Sequence, residues 1–254
     1  MKLGFIGVGN MGYALVSGLK NEHEILAYDL NEANKERAKD VCTIVDSNKE
    51  IMKADVIFLC VKPQIISAVL EEVKDLIDNQ IILSIAAGVT ISDIKEVIGD
   101  KKIVRVMPNT PCLVGEMAAG YSCSGMNEVE RENINKILNS VGLAYELSED
   151  KIEAVTGLSG SGPAFVARLI QYFTEVAIDN GLKKDVAHNL AIKTFRGTAE
   201  MLKTMTPDEL INMVSSPNGA TIAGREVLEN SDVKEVIRGT VKRCIERSIE
   251  LGQK

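Results

Sequence analysis

The sequence predicts an α/β domain built on a parallel sheet over residues 1–150, followed by an all-helical domain over residues 151–254. In the first part, short and continuously apolar runs alternate with helical patterns, which is typical of parallel strands covered by helices on both faces. Beyond about residue 149 the strand patterns end and helical patterns continue. The predicted strands are residues 3–6, 24–28, 42–45, 56–61, 80–85, 103–107, 117–123 and 143–146.

Helices are predicted from apolar spacing and from capping residues. Residues 65–77 place their apolar side chains on one helical face. The run Thr206-Pro207-Asp208-Glu209 predicts the start of another helix, with Thr206 as N-cap, Pro207 at the first position and Glu209 reaching back to the cap. Residues 221–228 are predicted to form a helix that follows a turn.

The composition excludes several classes of partner. The chain has 254 residues, with 29 basic and 36 acidic side chains and a net charge of −7. An acidic chain without a basic cluster argues against nucleic acid and anionic membranes as partners. The longest apolar run, residues 56–61, is far shorter than a membrane span. Five separated cysteines without a Cys-x-x-Cys pair, and no signal-peptide pattern, lead us to expect a cytoplasmic protein with free thiols and no metal site.

A glycine pattern directly after the first predicted strand carries the strongest chemical signal. In Gly7-x-Gly9-x-x-Gly12 the glycines allow a tight turn, a close approach of the backbone to a pyrophosphate, and close packing of helix on strand. The following helix then presents free N–H groups and its positive dipole end to the phosphates. Asp29 ends the second strand about twenty residues later, as this fingerprint requires. The pattern predicts a dinucleotide-binding Rossmann fold; the alternative is a plain strand-to-helix turn rich in glycine.

Asp29 also bears on the choice between NADH and NADPH. A carboxylate at this position accepts hydrogen bonds from the ribose hydroxyls of NADH and repels the 2′-phosphate of NADPH. Lys35 and Arg37 follow closely and are able to offset that charge. We therefore expect NADPH or NADH as the cofactor, with NADH favoured; alternatively, Asp29 only caps the helix predicted over residues 31–39.

Residues that donate protons in other nicotinamide enzymes are missing or poorly placed. None of the five tyrosines has a lysine four positions later, which excludes the Tyr-x-x-x-Lys arrangement of short-chain dehydrogenases. His23 lies in a polar turn and His188 in a predicted helix, so neither is expected to be catalytic. Residues 157–162 resemble the glycine-rich segment of β-hydroxyacid dehydrogenases, but Val166 stands where that family has its catalytic lysine.

Six blocks of sequence occur in a fixed order along essentially the whole chain. They are GFIGVGNMG at 4–12, VKP at 61–63, SIAAGVT at 84–90, RVMPNTP at 105–111, LSGSGPAF at 158–165 and VSSPNGATI at 214–222. Together they resemble the pyrroline-5-carboxylate reductase family. The resemblance implies that a cyclic imine carboxylate, 1-pyrroline-5-carboxylate, is reduced to L-proline with NADPH or NADH in the last step of proline biosynthesis. It also implies C-terminal helices that interleave between two chains in a homodimer, which often assembles further into a decamer.

The resemblance also implies a set of site residues. Beside Gly12 and Asp29 of the fingerprint, the cofactor would be bound by Gly7, Gly9, Asn10, Met11, Asn48, Val61, Lys62, Pro63 and Ala87. The substrate would be bound by Ser216, Gly219, Ala220 and Thr221. Two positions depart from the family pattern. Asn218 stands where glycine is usual, although asparagine tolerates a left-handed backbone better than most residues, and Arg225 stands where an aliphatic residue is common.

The candidate catalytic residues are Thr221 and Lys62. The turn at 216–221 would bind the substrate carboxylate through free N–H groups at a helix start, which needs no arginine, and no arginine is obviously buried. Thr221 would orient the imine nitrogen or relay a proton to it, unless it is only a helix N-cap. Lys62 would place charge near the cofactor, unless it is a solvated lysine. Asn109, between two prolines, is expected to line the cleft.

Two other functions stay open at this stage. An oxidoreductase similar to β-hydroxyacid dehydrogenases is disfavoured by Val166. A protein that senses a dinucleotide without catalysis is disfavoured by the Ser-Ser-Pro-x-Gly-x-Thr sequence, because a sensor has no need to keep a substrate loop.

Overall fold

A computed structural model describes residues 1–252 of the chain. These residues divide into two compact units, one formed by residues 1–163 together with the chain from residue 243 onward, and one formed by residues 164–242. The boundary at residue 150 in the sequence marks the change from mixed to helical patterning and stays a prediction of the domain limits.

A single sheet of eight strands forms the centre of the first unit within residues 1–252. The strands are β1 (Lys2–Ile6), β2 (Glu24–Tyr28), β3 (Thr43–Ile44), β4 (Val56–Leu59), β5 (Ile81–Ser84), β6 (Lys102–Met107), β7 (Met117–Ser124) and β8 (Gly142–Glu146). Their order is β3-β2-β1-β4-β5-β6-β7-β8. Strands β1 to β6 run parallel to one another, whereas β7 pairs antiparallel with β6, and β8 runs parallel to β7.

One strand pairing, β6 with β7, departs from the predicted parallel sheet. A parallel crossover needs a connection of about a dozen residues or more, usually including a helix. The nine residues at 108–116 contain only a 3-10 turn, Thr110–Val114, between β6 and β7. The chain therefore reverses its direction there, and the sheet is mostly parallel.

Helices cover both faces of this sheet. The regular secondary structure of the second unit, residues 164–242, is entirely helical. The helices are α1 (Asn10–Leu19), α2 (Glu32–Ala38), α3 (Asn48–Ile51), α4 (Ile66–Val73), α5 (Ile91–Ile98), α6 (Glu128–Asn139), α7 (Ile152–Val155), α8 (Gly162–Asp179), α9 (Lys184–Met201), α10 (Pro207–Val214), α11 (Ala220–Glu229) and α12 (Val233–Gly252). Short 3-10 turns at Pro63–Ile65 and Lys74–Leu76 flank α4, and a π-helical segment, Thr156–Gly160, precedes α8.

The core follows from the alternation of side chains along the central strands. Leu3 and Phe5 of β1 enter one apolar cluster, and the next residue, Ile6, enters a second cluster. Because successive side chains of a strand point to opposite faces, the two clusters lie on the two faces of the sheet. Phe5 stacks on Phe58 of β4 with ring centroids 4.4 Å apart. Burial on both faces explains why the strands read as continuous apolar runs.

Capping boxes begin α5, α6 and α10. The cap and its partner are Thr90 and Asp93 in α5, Asn127 and Glu130 in α6, and Thr206 and Glu209 in α10. In each case the cap side chain accepts a backbone hydrogen bond, and the acidic side chain accepts one from the cap in return. The predicted helix start at Thr206 is confirmed, with Pro207 in its first turn.

The strand order places a crevice beside β1. The order changes direction between β1 and β4, and ligands of open α/β sheets bind at the carboxyl ends of the strands on either side of such a point. Gly7 follows β1 there, and Val61 lies just beyond the end of β4. Among residues 1–252, no helix is both long and apolar enough to cross a membrane, and no three His, Cys, Asp or Glu residues group as a metal site would require.

Candidate active site

The glycine-rich turn between β1 and α1 has the backbone shape that its sequence predicts. Gly7 has a φ of 97°, and a β-carbon there would lie 2.7 Å from the Cys60 carbonyl oxygen. A β-carbon at Gly12 would lie 2.3 Å from the Gly7 oxygen, so α1 packs directly on the turn. At Gly9, by contrast, no atom lies within 4 Å of an added β-carbon. The space beside Gly9 is therefore open to a ligand.

The start of α1 leaves backbone donors without partners. Gly9 is the N-cap and offers no side chain to cap the helix. The N–H groups of Asn10, Met11 and Gly12 have no acceptor within residues 1–252, whereas the Tyr13 N–H already bonds the Gly9 oxygen at 2.9 Å. Free donors at the positive end of a helix dipole suit a phosphate.

Asp29, directly after β2, holds the glycine-rich turn in place. Its Oδ2 accepts hydrogen bonds from the Val8 N–H at 2.8 Å and from Asn34 Nδ2 at 3.1 Å, and its Oδ1 accepts one from the Asn31 N–H at 2.8 Å. The side chain of Asn31, and not that of Asp29, caps α2 by accepting from the Ala33 N–H. The alternative in which Asp29 only caps this helix is therefore wrong.

Arg37 contacts the same turn from α2. Its guanidinium donates to the Val8 carbonyl oxygen at 2.8 Å and to Asn10 Oδ1 at 3.2 Å, and it lies 4.6 Å from the centre of the Tyr13 ring. Lys35 instead forms an ion pair within α2. Of the two cations that could offset Asp29, Arg37 is the one that bonds the turn.

A partly open cleft lies beside the ends of β1, β2 and β4. Its lining is mostly apolar, but it includes Tyr28, Asp29 and Asn48. Asn48 is 8% exposed, its Nδ2 donates to Glu72 Oε2 at 2.8 Å, and its Oδ1 is buried without a hydrogen-bond partner. An apolar cleft with a few polar groups and an orphaned acceptor fits the adenosine half of a dinucleotide.

The other predicted cofactor residues follow β4 and β5 at the same edge of the sheet. Val61 lines the cleft, and Pro63 opens the 3-10 turn that Lys62 precedes. Ala87 lies half-buried in the loop after β5. Lys62 is exposed, and within residues 1–252 its side chain forms no ion pair or hydrogen bond. The structure thus gathers the predicted cofactor residues at one edge of the sheet, and the role of Lys62 stays a prediction.

The predicted substrate residues lie in the second unit, in the loop between α10 and α11. The Gly219 N–H donates to the Ser216 carbonyl oxygen at 2.9 Å and closes a turn, and a β-carbon at Gly219 would lie 2.5 Å from Ser216 Oγ. Gly219 is the N-cap of α11, so the N-cap alternative for Thr221 is wrong. Ala220 and Thr221 are exposed residues of the first helical turn.

The two departures from the family pattern have local explanations. Asn218 has a φ of 58° and is the one non-glycine residue with a positive φ in the described chain. Asparagine adopts this left-handed conformation readily, so the turn forms as expected. Arg225 forms an ion pair with Glu229, one turn further along α11, with 3.0 Å between Arg225 Nε and Glu229 Oε1.

Asn109 is buried and does not line an open cleft, contrary to expectation. It is 4% exposed; its Nδ2 donates to the Ser159 carbonyl oxygen at 3.0 Å, and its Oδ1 accepts from the Ala118 N–H at 2.9 Å. Both ends of the amide are satisfied by the backbone. Asn109 therefore ties the π-helical segment to β7.

Burial shifts the titration of several thiols and of His23. All five cysteines are free. Burial raises the pKa of Cys42 and of Cys112 to about 11 and that of Cys123 to about 12, so these thiols stay protonated. Burial also lowers the pKa of His23.

Comparison with known proteins decides the family. The chain is 37% identical to the pyrroline-5-carboxylate reductase of Methanosarcina acetivorans over 100% of this chain and 98% of the relative. It is 35% identical to that of Corynebacterium melassecola over 98% of this chain and 97% of the relative. The chain belongs to the pyrroline-5-carboxylate reductase family.

Solved structures agree with this assignment. A crystal structure of Plasmodium falciparum pyrroline carboxylate reductase with NADP bound matches at a TM-score of 0.91 and 33% identity, covering 99% of this chain and 98% of that one. The structure of a pyrroline-5-carboxylate reductase from Coxiella burnetii matches at a TM-score of 0.90 and 32% identity, covering 99% of this chain and 98% of that one. Residues 2–88 match a family of NADP oxidoreductases that are coenzyme F420-dependent. The predicted fold class, the family resemblance and an NAD(P)-dependent oxidoreductase are confirmed.

The C-terminal helices of this reductase leave apolar surface uncovered. Residues 149–251 match the dimerisation domain of pyrroline-5-carboxylate reductases. On α8, Phe173 is 60% and Val176 61% exposed, and on α11 Val227 is 74% exposed. Contiguous apolar surface of this kind marks an interaction site, which fits a domain that dimerises.

One buried arginine of the reductase escaped the sequence analysis. Arg105 in β6 has a side chain only 4% exposed, and it forms ion pairs with Glu149 at 3.3 Å and with Glu153. The Glu149 carboxylate also accepts from the Ile91 N–H at 2.7 Å, at the start of α5. Arg105 is thus a buried arginine that was not obvious from the sequence. An arginine inside an otherwise apolar strand was the available signal.

Proposed function

We propose that this chain reduces 1-pyrroline-5-carboxylate to L-proline with NAD(P)H, as the last step of proline biosynthesis. The observation that carries the proposal is the full-length match to pyrroline-5-carboxylate reductases at up to 37% identity. The open space beside Gly9 and the unpartnered N–H groups at the start of α1 support the cofactor part of it.

The substrate loop supplies the groups that a small cyclic imine carboxylate needs. When bound, the nicotinamide ring supplies a hydride for the imine carbon. The N–H groups of Ala220 and Thr221 have no acceptor within the described chain and suit the substrate carboxylate. The Thr221 hydroxyl orients the nitrogen or passes it a proton from water. An imine that is already protonated to the iminium needs little acid catalysis, so orientation of the substrate accounts for most of the contribution of Thr221 to the rate.

Lys62 serves, in this proposal, as a positive charge beside the cofactor. It follows β4 at the carboxyl edge of the sheet, and its exposed ammonium has no partner within residues 1–252. An unpaired cation at the edge where ligands bind is available to a phosphate of the cofactor.

NADH is the proposed preferred cofactor. The Asp29 carboxylate lines the cleft, so a 2′-phosphate would meet a like charge there. Arg37 is already bonded to Val8 and Asn10. The proposed assembly is a homodimer through the C-terminal helices, with a decamer as the larger form.

Steady-state kinetics with NADH and NADPH side by side test reaction and cofactor together. We expect oxidation of both cofactors with 1-pyrroline-5-carboxylate, and a higher kcat/KM with NADH. Folded protein that oxidises neither cofactor would contradict the reaction. Binding of a cofactor without any turnover of the imine would point to a dinucleotide sensor.

Replacing Thr221 with alanine is expected to lower kcat by about tenfold, less than the roughly 10²–10⁴-fold effect of a general acid, because an imine that is already protonated needs little acid catalysis. The Kd for NADH should stay unchanged, because Thr221 belongs to the substrate loop. Thr221→Ser keeps the hydroxyl and serves as the control. An unaltered kcat in Thr221→Ala would remove Thr221 from the mechanism.

Replacing Asn218 with valine is expected to raise the KM for the imine. A β-branched residue at a φ of 58° costs about 1–2 kcal/mol, which distorts the turn that presents the substrate donors. Asn218→Gly accepts this conformation without strain and should keep the wild-type KM. Equal KM values for the two variants would show that the left-handed turn is not needed for substrate binding.

A further inference from the structure

Glu72, at the exposed side of α4, fixes which way the Asn48 amide points. Asn48 Nδ2 lies 2.8 Å from Glu72 Oε2. A carboxylate only accepts hydrogen bonds, so the amide must turn its NH2 group toward Glu72. The Asn48 Oδ1 is thereby held on the other side, where it is buried and has no donor.

The orphaned oxygen belongs to a residue that lines the cleft together with Asp29. The Asp29 carboxylate is an acceptor, and the orientation of Asn48 adds a second one. The Tyr28 hydroxyl both donates and accepts, so it does not discriminate between ligands. The other lining residues are apolar or glycine, and no cation of the described chain lines this cleft. A ligand that completes the site must therefore bring donors.

We propose that Glu72 is a positioning residue that sets cofactor specificity through Asn48. The inference rests on the proposed function, in which the cleft takes the adenosine half of NAD(P)H. A ribose 2′-hydroxyl donates a hydrogen bond and completes Asn48 Oδ1. A 2′-phosphate is mostly ionised at pH 7 and has only acceptor oxygens to offer there. Glu72 thus favours NADH over NADPH without touching either cofactor.

Exchanging Glu72 for lysine reverses the direction of the hydrogen bond between residue 72 and Asn48. A lysine ammonium only donates, so Asn48 must present Oδ1 to it and turn its NH2 group toward the cleft. A donor would then be available to an acceptor on the ribose. We expect the ratio Kd(NADPH)/Kd(NADH) to fall about tenfold relative to wild type, the size of one charge-assisted hydrogen bond.

Two variants separate amide orientation from charge. Glu71→Lys makes the same charge change on the neighbouring residue, which pairs with Lys74 at 2.6 Å instead of with Asn48. It should leave the Kd ratio near the wild-type value. Glu72→Gln keeps an acceptor oxygen for Asn48 Nδ2 and should preserve the ratio as well. Because Glu72 is exposed, all three variants are expected to fold, which thermal unfolding verifies.

Isothermal titration calorimetry of the full chain with NADH and with NADPH gives the ratio directly; the chain has no tryptophan to serve as an intrinsic fluorescent probe. Wild-type protein that binds neither cofactor would contradict the proposed function itself. Wild-type binding, with a ratio that Glu72→Lys leaves unchanged, would overturn the inference alone. An equal shift in Glu71→Lys and Glu72→Lys would also overturn it, because charge and not amide orientation would then be the cause.

Discussion

A Gly9→Ala variant should fold like the wild-type chain and yet bind NADH about ten- to hundredfold more weakly, since overpacking by one methyl group costs about 1–3 kcal/mol. Gly9 has a φ of −60°, which alanine adopts freely, and its added β-carbon meets nothing within 4 Å. The methyl group would instead occupy the space through which a pyrophosphate approaches the backbone. Calorimetric titration with NADH measures the loss.

Gly12→Ala is the matched control for this prediction. Its β-carbon would lie 2.3 Å from the Gly7 oxygen, which is backbone and is held by the bond from the Gly7 N–H to the Tyr28 oxygen. Gly12→Ala should therefore lower the free energy of unfolding by about 1–3 kcal/mol, whereas Gly9→Ala should not. Wild-type affinity in Gly9→Ala would mean that no phosphate approaches this turn.

Features that depend on local backbone conformation were predictable from the sequence. The glycine-rich turn needs a left-handed residue at Gly7 and a bare Cα at Gly12, and only glycine meets both demands. The capping box at Thr206 and the left-handed Asn218 are likewise encoded by residues within the motif itself. Such signals need no knowledge of distant contacts.

Side-chain partners that are far apart in sequence were not predictable in the same way. Asp29 was expected to face a ribose, and its bond to the Val8 N–H, 21 residues away, depends on the packing of two strands. Asn109 was placed correctly at a strand end, but its burial depends on Ser159, 50 residues later. A pattern of residue types shows that a polar group is present, not which distant backbone atom satisfies it.

The substrate residues depend on the family resemblance more than on pattern. A turn of small and hydroxylated residues before a helix, such as Ser216 to Thr221, specifies an anion-binding shape without naming the anion. The antiparallel turn into β7 is different, because the short segment at 108–116 contained the information: it leaves no room for a crossover helix. Connection length was the signal that the expectation of a parallel sheet overlooked.

Arg105 links three parts of the first unit through its two glutamates. It lies in β6, Glu149 precedes α7 and bonds the first N–H of α5, and Glu153 lies within α7. Side chains of Glu149 and Glu153 are only 32% and 17% exposed, and Glu153 Oε2 is buried without a partner. Removal of the arginine would leave two poorly hydrated carboxylates together.

We therefore expect Arg105→Met to lower the free energy of unfolding by about 3 kcal/mol, measured by denaturant titration, because it leaves two partly buried carboxylates uncompensated. Arg131→Met is the control. Arg131 pairs with Glu146, the two side chains are 39% and 34% exposed, and loss of this ion pair should lower the free energy of unfolding by less than about 1 kcal/mol. Glu153→Gln removes one of the opposed charges, so in the Arg105→Met background it should recover part of the loss, although alone it weakens the pair. Simple additivity of the two changes would contradict this account, since residues in one network must show a coupling energy.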